Sequence, residues 1–284
     1  MRIGCARRYS AQSKNMTDDP TVGGRATSRE WDADAYHRLS DPQFAWGLRV
    51  LERLPLRGDE RLLDAGCGSG RLTRELVRRL PHGFVVACDL SENMAHAAAA
   101  MVGIRTAGAV VCADLCRLPV GSGVFDAIFS TATFHWVLDH DLLFRELRRT
   151  LRAQGRVEAQ CGGGANLEVV HARANALAAE AGYRDYFAKW RDPWLFASPA
   201  DTEARLRHAG FRSASCWLEH APTPFPDAAQ YRAFLESVVM RPYLARLPTA
   251  PQRTNFLDDL MDGATRDNPP LTLDYWRLNI SATA

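Results

Sequence analysis

A glycine-rich turn preceded by an acid is the part of this sequence best suited to chemistry. Residues 62–70 read Leu-Leu-Asp-Ala-Gly-Cys-Gly-Ser-Gly, so that Asp64 stands just before a G-x-G-x-G turn. Because glycine has no Cβ and tolerates positive φ angles, such a turn can bring backbone N–H groups close to a ligand. A carboxylate here would repel a pyrophosphate but favour a cation. The motif predicts a pocket for a nucleotide-like, positively charged ligand; the alternative is a tight turn that binds nothing.

Two further acids follow apolar runs that are typical of buried strands. Asp89 ends the run at 84–89, about 20 residues beyond the turn, where nucleotide-binding folds place a ribose-binding carboxylate. It could instead serve only to cap the helix that Ser91 begins. Asp114 follows the run at 109–112, where a carboxylate can accept a hydrogen bond from an adenine amino group.

The elements that must position these acids alternate between strand and helix. The helix that starts at Asp139 is expected to end at Gly155, and residues 156–160 then form a fifth strand. Strands that alternate with helices form a doubly wound parallel sheet, and ligands of such sheets bind beyond the carboxyl ends of the strands. All three acids are predicted to lie at that edge.

The motifs resemble those of the class I S-adenosylmethionine-dependent methyltransferases. The matching residues are 62–70, Asp89, Asp114-Leu115 and 125–130. The resemblance implies an α/β, doubly wound, mostly parallel seven-stranded sheet (a Rossmann-like methyltransferase fold) with a helical cap inserted after strand five. It also implies that S-adenosylmethionine is the cofactor, S-adenosylhomocysteine the product, and that no metal takes part. By this resemblance the cofactor contacts are Tyr36, Gln43, Asp64, Gly66, Cys67, Gly68, Gly70, Asp89, Leu90, Met94, Asp114, Leu115, Ser130 and His135.

The resemblance extends from about residue 29 to the C-terminus. Residues 1–28 are interpreted as a flexible N-terminal extension, and the cap is expected in two segments at about 162–200 and 225–270. The first segment carries an aromatic stretch at 183–196. These rings could simply pack the cap, or they could roof an apolar pocket for a small molecule.

Residues 129–136 and 238–248 resemble the corresponding segments of the trans-aconitate methyltransferase family, which methylates carboxylates of small acids. This implies O-methylation of a carboxylic acid by in-line displacement. Arg241 is then a candidate clamp for the carboxylate, or else a surface or ion-paired arginine. His135 is a candidate base for acceptors that carry a proton, a substrate contact, or a structural histidine. Trp136 is expected to form a wall of the substrate pocket.

Composition limits the remaining alternatives. The formal net charge is +2, which gives no reason to expect nucleic acid or an anionic membrane as a partner. No apolar run approaches the roughly 18 residues needed to span a bilayer, and the seven scattered cysteines favour a reducing cytoplasm. Two other functions stay open: methylation of a carrier-bound acyl group or natural-product scaffold at O, N or C, and a silent S-adenosylmethionine-binding partner protein. The oligomeric state is not predicted.

Overall fold

Helices and strands alternate along the chain in a computed structural model that describes residues 30–31, 41–102 and 108–284. The strands are β1 (Arg61–Ala65), β2 (Phe84–Asp89), β3 (Gly108–Cys112), β4 (Phe125–Thr131), β5 (Leu151–Gly162), β6 (Ser213–His220), β7 (Thr223–Pro224), β8 (Thr272–Leu273) and β9 (Trp276–Thr283). The α-helices are α1 (Asp41–Arg53), α2 (Arg71–Arg79), α3 (Glu92–Val102), α4 (His140–Thr150), α5 (Glu168–Ala178), α6 (Arg184–Phe187), α7 (Pro199–His208), α8 (Ala228–Phe234), α9 (Arg241–Leu244) and α10 (Ala250–Ala264). A 3₁₀ turn spans Phe134–Trp136 and a π-helical turn spans Leu235–Val239.

Seven strands form one sheet in the order β3-β2-β1-β4-β5-β9-β6, which confirms the predicted fold class. Strands β1 to β5 run parallel, whereas β9 is antiparallel to both of its neighbours. The strand order reverses between β1 and β4, and this switch point opens a crevice at the carboxyl edge of the sheet. Of the acids predicted at strand ends, Asp64 lies in the last part of β1, Asp89 is the last residue of β2, and Asp114 lies two residues beyond β3.

The central strands are apolar because helices cover both faces of the sheet. Leu62 and Leu63 of β1 and Ile128 and Phe129 of β4 are fully buried, as expected for parallel strands that pack on two sides.

The predicted end of the helix at Gly155 is wrong. Helix α4 ends at Thr150, and β5 already begins at Leu151, which pairs with Phe125. Gln154 takes a φ of +65°, and the pairing of β4 with β5 shifts register just there. Gly155 therefore lies in an irregular part of the strand, and the turn out of the helix occurs earlier than the glycine indicated.

A second apolar core lies outside the sheet, which we call the cap core. It is formed by segments that leave the sheet after β5 and again after β6, and it includes the buried residues Trp194, Tyr231, Phe234, Tyr243 and Phe256. Helix α10 belongs to it and starts with a capping box between Thr249 and Gln252, a signal visible in the sequence that the prediction did not use. Among the described residues, no helix combines the length and apolar character that a membrane crossing would require.

Candidate active site

A cavity of about 630 Å³ lies where the carboxyl edge of the sheet meets the cap. One part, the acidic end, is lined by Asp89, Asp114 and Asp139. For reference we call the part around His135, Asn166, His171, Arg241 and Arg277, which also line the cavity, the basic end. The cavity lining therefore carries side chains of both charge signs.

Most of the residues predicted to bind a cofactor or substrate line this cavity. They are Gln43, Gly66, Gly68, Asp89, Leu90, Met94, Asp114, Leu115, His135, Trp136 and Arg241. Cys67 instead lines a smaller pocket of about 50 Å³ that shares Gln43, Gly66 and Gly68 with the cavity. Asp64, Gly70 and Ser130 lie behind the cavity wall, and Tyr36 lies outside the described residues.

Asp64 is buried beneath the glycine turn. Its Oδ2 accepts a hydrogen bond of 2.6 Å from Thr73 Oγ1, at the start of α2. Burial raises the pKa of this carboxyl to about 7; the Thr73 hydrogen bond opposes the rise and the charge of Asp89 adds to it. Because its side chain does not reach the cavity, Asp64 can influence a bound cation only through its electric field.

Asp89 joins the glycine turn to the start of α3. Its Oδ2 accepts from the Gly68 N–H at 2.9 Å, and its Oδ1 accepts from the Ser91 N–H, also at 2.9 Å. Burial raises the pKa of Asp89 while these backbone hydrogen bonds oppose the rise. Each carboxylate oxygen has a second lone pair, so Asp89 can organise the turn and still accept from a ligand.

Ser130 helps to hold the turn in place from the neighbouring strand. Its hydroxyl donates a hydrogen bond of 2.6 Å to the carbonyl oxygen of Ala65. This contact joins the end of β4 to the end of β1 directly below the cavity. The role of the Ser130 side chain is therefore to position the turn.

Two glycines of the turn have different local requirements. Gly70 has a φ of +84°, and a Cβ there would lie 2.8 Å from the Cα of Ala98 in α3. Gly68 has a φ of +54°, and a Cβ there would enter open space at the cavity. Gly70 thus allows α2 and α3 to pack closely, whereas Gly68 leaves room for a ligand.

This difference predicts separate effects of two alanine substitutions. Gly70→Ala is expected to lower the free energy of unfolding by about 2 kcal/mol, since backbone atoms must move apart. Gly68→Ala is expected to cost about 1 kcal/mol of stability and chiefly to weaken ligand binding. Urea denaturation and calorimetric titration of both variants test this; equal binding losses in the two would contradict it.

Gln43 supplies a buried acceptor at the boundary of the two pockets. Its side chain comes from α1 and is buried, and its Oε1 has no hydrogen-bond partner among the described residues. An unsatisfied buried carbonyl costs free energy, so it fits a ligand that brings an N–H or ammonium donor.

His135 faces the basic end from the 3₁₀ turn after β4. Its Nδ1 accepts from the Gly162 N–H at 3.2 Å. Burial lowers the pKa of His135 to about 3, with further contributions from the charges of Arg277, His140 and His171. The ring is therefore neutral at physiological pH, and because Nδ1 accepts, we assign the proton to Nε2.

Aromatic rings form the wall of the basic end. His171 stacks on Trp194 with ring centroids 4.4 Å apart, and it also stacks on Phe196. Trp136 meets Trp31 and Trp194 edge-on at 5.6 and 6.1 Å. Trp136 therefore lies in the cavity wall, where it was predicted, although its contact with a substrate stays a prediction.

Arg241 connects the cap to the segment at 30–31. Its Nη1 donates to the carbonyl oxygen of Glu30, and its guanidinium lies 4.1 Å from the ring centroid of Trp31. The Glu30 carboxylate in turn accepts from Ser91 Oγ at 3.0 Å, at the start of α3. Arg241 thus lines the cavity and also fastens its wall.

Arg277 is one of the cavity residues that the sequence prediction missed, together with Asp139, Asn166 and His171. It lies near the start of β9, paired with Gly162, and it is 3% exposed. Its Nε donates to Gln160 Oε1 at 3.4 Å, and its guanidinium lies 4.5 Å from the ring centroid of Trp46. Because β9 is antiparallel, its first residues reach the same edge at which the parallel strands end. The sequence signal that could have indicated Arg277 is a basic residue at the start of the last strand.

Comparison with known proteins identifies the family. A family model described as a methyltransferase domain matches residues 63–159. The malonyl-[acyl-carrier protein] O-methyltransferase of Geobacter sulfurreducens is 34% identical over 216 residues, which cover 72% of this chain and 78% of that protein. The chain is a class I S-adenosylmethionine-dependent methyltransferase. An enzyme of the same name from Legionella pneumophila is 35% identical over 125 residues, which cover 44% of its length.

Other relatives of this methyltransferase differ in their named acceptors. The trans-aconitate 2-methyltransferase of Deinococcus radiodurans is 28% identical over 236 residues, covering 80% of this chain and 87% of that protein. The Haemonchus contortus phosphoethanolamine N-methyltransferase 2, solved in complex with S-adenosyl-L-methionine, has a TM-score of 0.56 at 19% identity. The alignment covers 89% of this chain and 56% of that one, and it shows a shared fold.

The acidic end fits the cofactor of this family, S-adenosylmethionine. Gly68 leaves space where a Cβ would intrude, and Gln43 offers a buried acceptor. Leu90, Leu138 and Leu142 are large apolar side chains that are exposed here and line the cavity. Exposed apolar side chains grouped at one cavity are typical of a site that a ligand covers.

Proposed function

We propose that this methyltransferase transfers the methyl group to a carboxylate oxygen of an acid. The observation that supports this is the charge at the basic end of the cavity. Arg241 and Arg277 line it, whereas the carboxylates among the described lining residues belong to the acidic end. A cationic pocket with apolar walls favours an anionic acceptor over an amine.

A carboxylate acceptor also agrees with the two histidines that the structure describes at this end, because burial lowers the pKa of His135 to about 3 and that of His171 to about 4, which makes both weak bases. When bound, S-adenosylmethionine supplies a methyl group on a sulfonium, and its transfer to a carboxylate gives a neutral thioether and a neutral ester without release of a proton. The enzyme then has to align the acceptor and exclude water. We propose that His135 donates its Nε2–H to the acceptor, and that Asp89, Asp114 and Gln43 hold the cofactor.

A free carboxylate is common to the two acceptor types in the relatives' names. Trans-aconitate is a free acid, and a malonyl group on a carrier protein retains one carboxylate. The proposal therefore covers both a small acid and a carrier-bound acyl group. We favour the small acid because Trp194 and Phe196 of the cap line the cavity there and provide an apolar wall against which a small acid can pack.

Calorimetric titration followed by turnover tests the proposal. S-adenosylmethionine and S-adenosylhomocysteine are titrated first, and the protein is then assayed with trans-aconitate, other small acids, a malonyl thioester on a carrier protein, and matched carboxamides. Formation of a methyl ester from at least one acid supports the proposal. Methylation of an amine or phenol only would refute it, and binding without turnover would favour the silent partner protein.

The role of His135 is tested by a substitution that can donate but cannot act as a base. Glutamine can place an amide N–H close to the Nε2 position, so His135→Gln is expected to retain acid methylation within about tenfold. His135→Phe is expected to lose about 100-fold, the scale of removing one hydrogen bond to developing charge. Initial rates of ester formation measure both. Equal loss in the two variants would contradict the donor role of His135.

The pH dependence provides an independent check of the same role. Because the pKa of His135 is lowered to about 3, its charge does not change between pH 5.5 and 8.5. The kcat/KM for an acid should therefore show no inflection from this histidine over that range.

A further inference from the structure

We propose that Arg277 binds the acceptor carboxylate and restricts this methyltransferase to acids. This inference rests on the proposed function and assigns its specificity to a residue near the start of β9. Arg277 is buried, lines the basic end, and lies close enough to His135 for its charge to act on that ring. A cation in a buried cavity wall favours an anionic ligand beside it.

The surroundings of Arg277 hold its side chain in one orientation. Gln160 Nε2 donates to Asn279 Oδ1 at 2.8 Å, so its Oε1 is directed to Arg277 Nε at 3.4 Å. Asn279 Nδ2 is in turn 3.4 Å from Glu219 Oε2. The Trp46 ring packs against the guanidinium at 4.5 Å. A planar guanidinium that is held in this way loses little entropy when it binds a carboxylate through two parallel hydrogen bonds.

Arg277 is better placed than Arg241 to bind the carboxylate that receives the methyl group. Arg277 pairs with Gly162 across the strands, and the Gly162 N–H is the group that binds His135 Nδ1. Arg277 and the proposed donor His135 therefore converge on one region. Arg241 is instead fastened to the Glu30 carbonyl and to the Trp31 ring.

The wall between the two arginines defines the rest of the acceptor. Trp136, Trp194 and Phe196 line the basic end there. We therefore assign the acceptor as a small acid with an apolar or planar body that lies against these rings while its carboxylate meets Arg277.

The test compares Arg277→Gln and Arg277→Lys with Arg49→Gln. Arg49 is an exposed arginine that pairs with Glu219 at 3.9 Å. Arg49→Gln therefore removes one positive charge, as Arg277→Gln does, but outside the cavity. Each variant is first titrated with S-adenosylhomocysteine, and a dissociation constant within about twofold of the parent shows an intact acidic end. The kcat and KM are then measured with the best acid of the panel, and affinities for that acid and its carboxamide are compared.

Arg277→Gln is expected to lower kcat/KM for the acid by about 100-fold, mainly through KM, and to abolish the preference for acid over carboxamide. Arg277→Lys should restore part of the loss, and Arg49→Gln should match the parent. An Arg277→Gln variant that binds S-adenosylhomocysteine normally and keeps the parental KM and acid preference overturns the inference. So does loss of acid preference in Arg241→Gln but not in Arg277→Gln.

A second variant decides the matter if Arg277→Gln does not fold. Gln160→Met removes the acceptor that orients Arg277 but keeps the cation and a similar volume, and we expect KM for the acid to rise about tenfold. An unchanged KM overturns the inference. If the parent enzyme methylates acids and the Arg277 and Gln160 variants do so equally well, only the inference about Arg277 is refuted. If the parent enzyme methylates no acid, the proposed function is refuted as well.

Discussion

Asp64→Asn is expected to raise the free energy of unfolding of the cofactor-free protein by about 4 kcal/mol at pH 8. The reason is the burial of a carboxyl group beneath the glycine turn. Burial raises its pKa from 3.8 to about 7 in the folded protein. Asparagine has nearly the same shape, can still accept from the Thr73 hydroxyl, and carries no charge that must be buried.

The sign of the effect follows from proton binding. A folded pKa above the unfolded value means that the folded state binds the proton more tightly. Asp64 therefore favours folding below pH 3.8, and this contribution is lost as the pH rises toward 7. The stability difference between the variant and the parent should grow from pH 4 to pH 7 and stay constant above it.

Urea denaturation of both proteins from pH 4 to pH 8 measures this difference. Asp59→Asn, which removes one charge at an exposed carboxylate, controls for the change in net charge. A difference that does not vary with pH would contradict the assignment to Asp64. We also expect Asp64→Asn to weaken S-adenosylmethionine more than S-adenosylhomocysteine, because only the former carries the sulfonium charge.

Asp89→Ala is expected to weaken binding of S-adenosylhomocysteine by about 100-fold. The substitution removes the acceptor proposed for the ribose and also leaves the N–H groups of Gly68 and Ser91 without their carboxylate. Because both N–H groups help to shape the turn, part of the loss comes from a less ordered binding surface. Calorimetric titration measures the affinity.

Ser91→Ala provides the matched control for Asp89→Ala. It removes the hydroxyl that accepts from the Met94 N–H at the start of α3 and donates to Glu30, but it keeps the carboxylate of Asp89. Its effect should be a loss of about 1 kcal/mol of stability with a much smaller change in affinity. If the control loses as much affinity as Asp89→Ala, the carboxylate only caps the helix, which was the alternative that the sequence left open.

The sequence was sufficient to predict the acidic end because its geometry depends on parallel strands. Asp89 ends β2 and Asp114 lies two residues beyond β3, and parallel neighbours end at the same edge of the sheet. Local pattern and one topological rule therefore place them together without any knowledge of side-chain contacts. What the pattern could not show is how deeply each carboxylate is buried. Asp64 comes just before the glycine turn in sequence, yet its side chain lies beneath the turn.

The basic end was predicted less completely because it depends on contacts between distant parts of the chain. Arg277 reaches the cavity only because β9 runs antiparallel to β5. The direction of a strand in its sheet cannot be predicted from the local pattern of apolar and polar residues. Arg241 was singled out from a resemblance, but its bond to Glu30 spans 211 positions of sequence. Such contacts are decided by tertiary packing, which no single segment encodes.

The aromatic wall has a consequence for anyone who would redesign the acceptor range. Trp194 lines the cavity and is also a buried member of the cap core, in ring contact with Trp190 and Tyr243. A smaller residue in place of Trp194 would make room for bulkier acids, but it would also remove packing from the cap core and lower the stability of the protein. Val238 lines the same cavity but is only partly buried, on the π-helical turn. Substitutions intended to change acceptor selectivity should therefore begin at Val238, where they are expected to cost less stability.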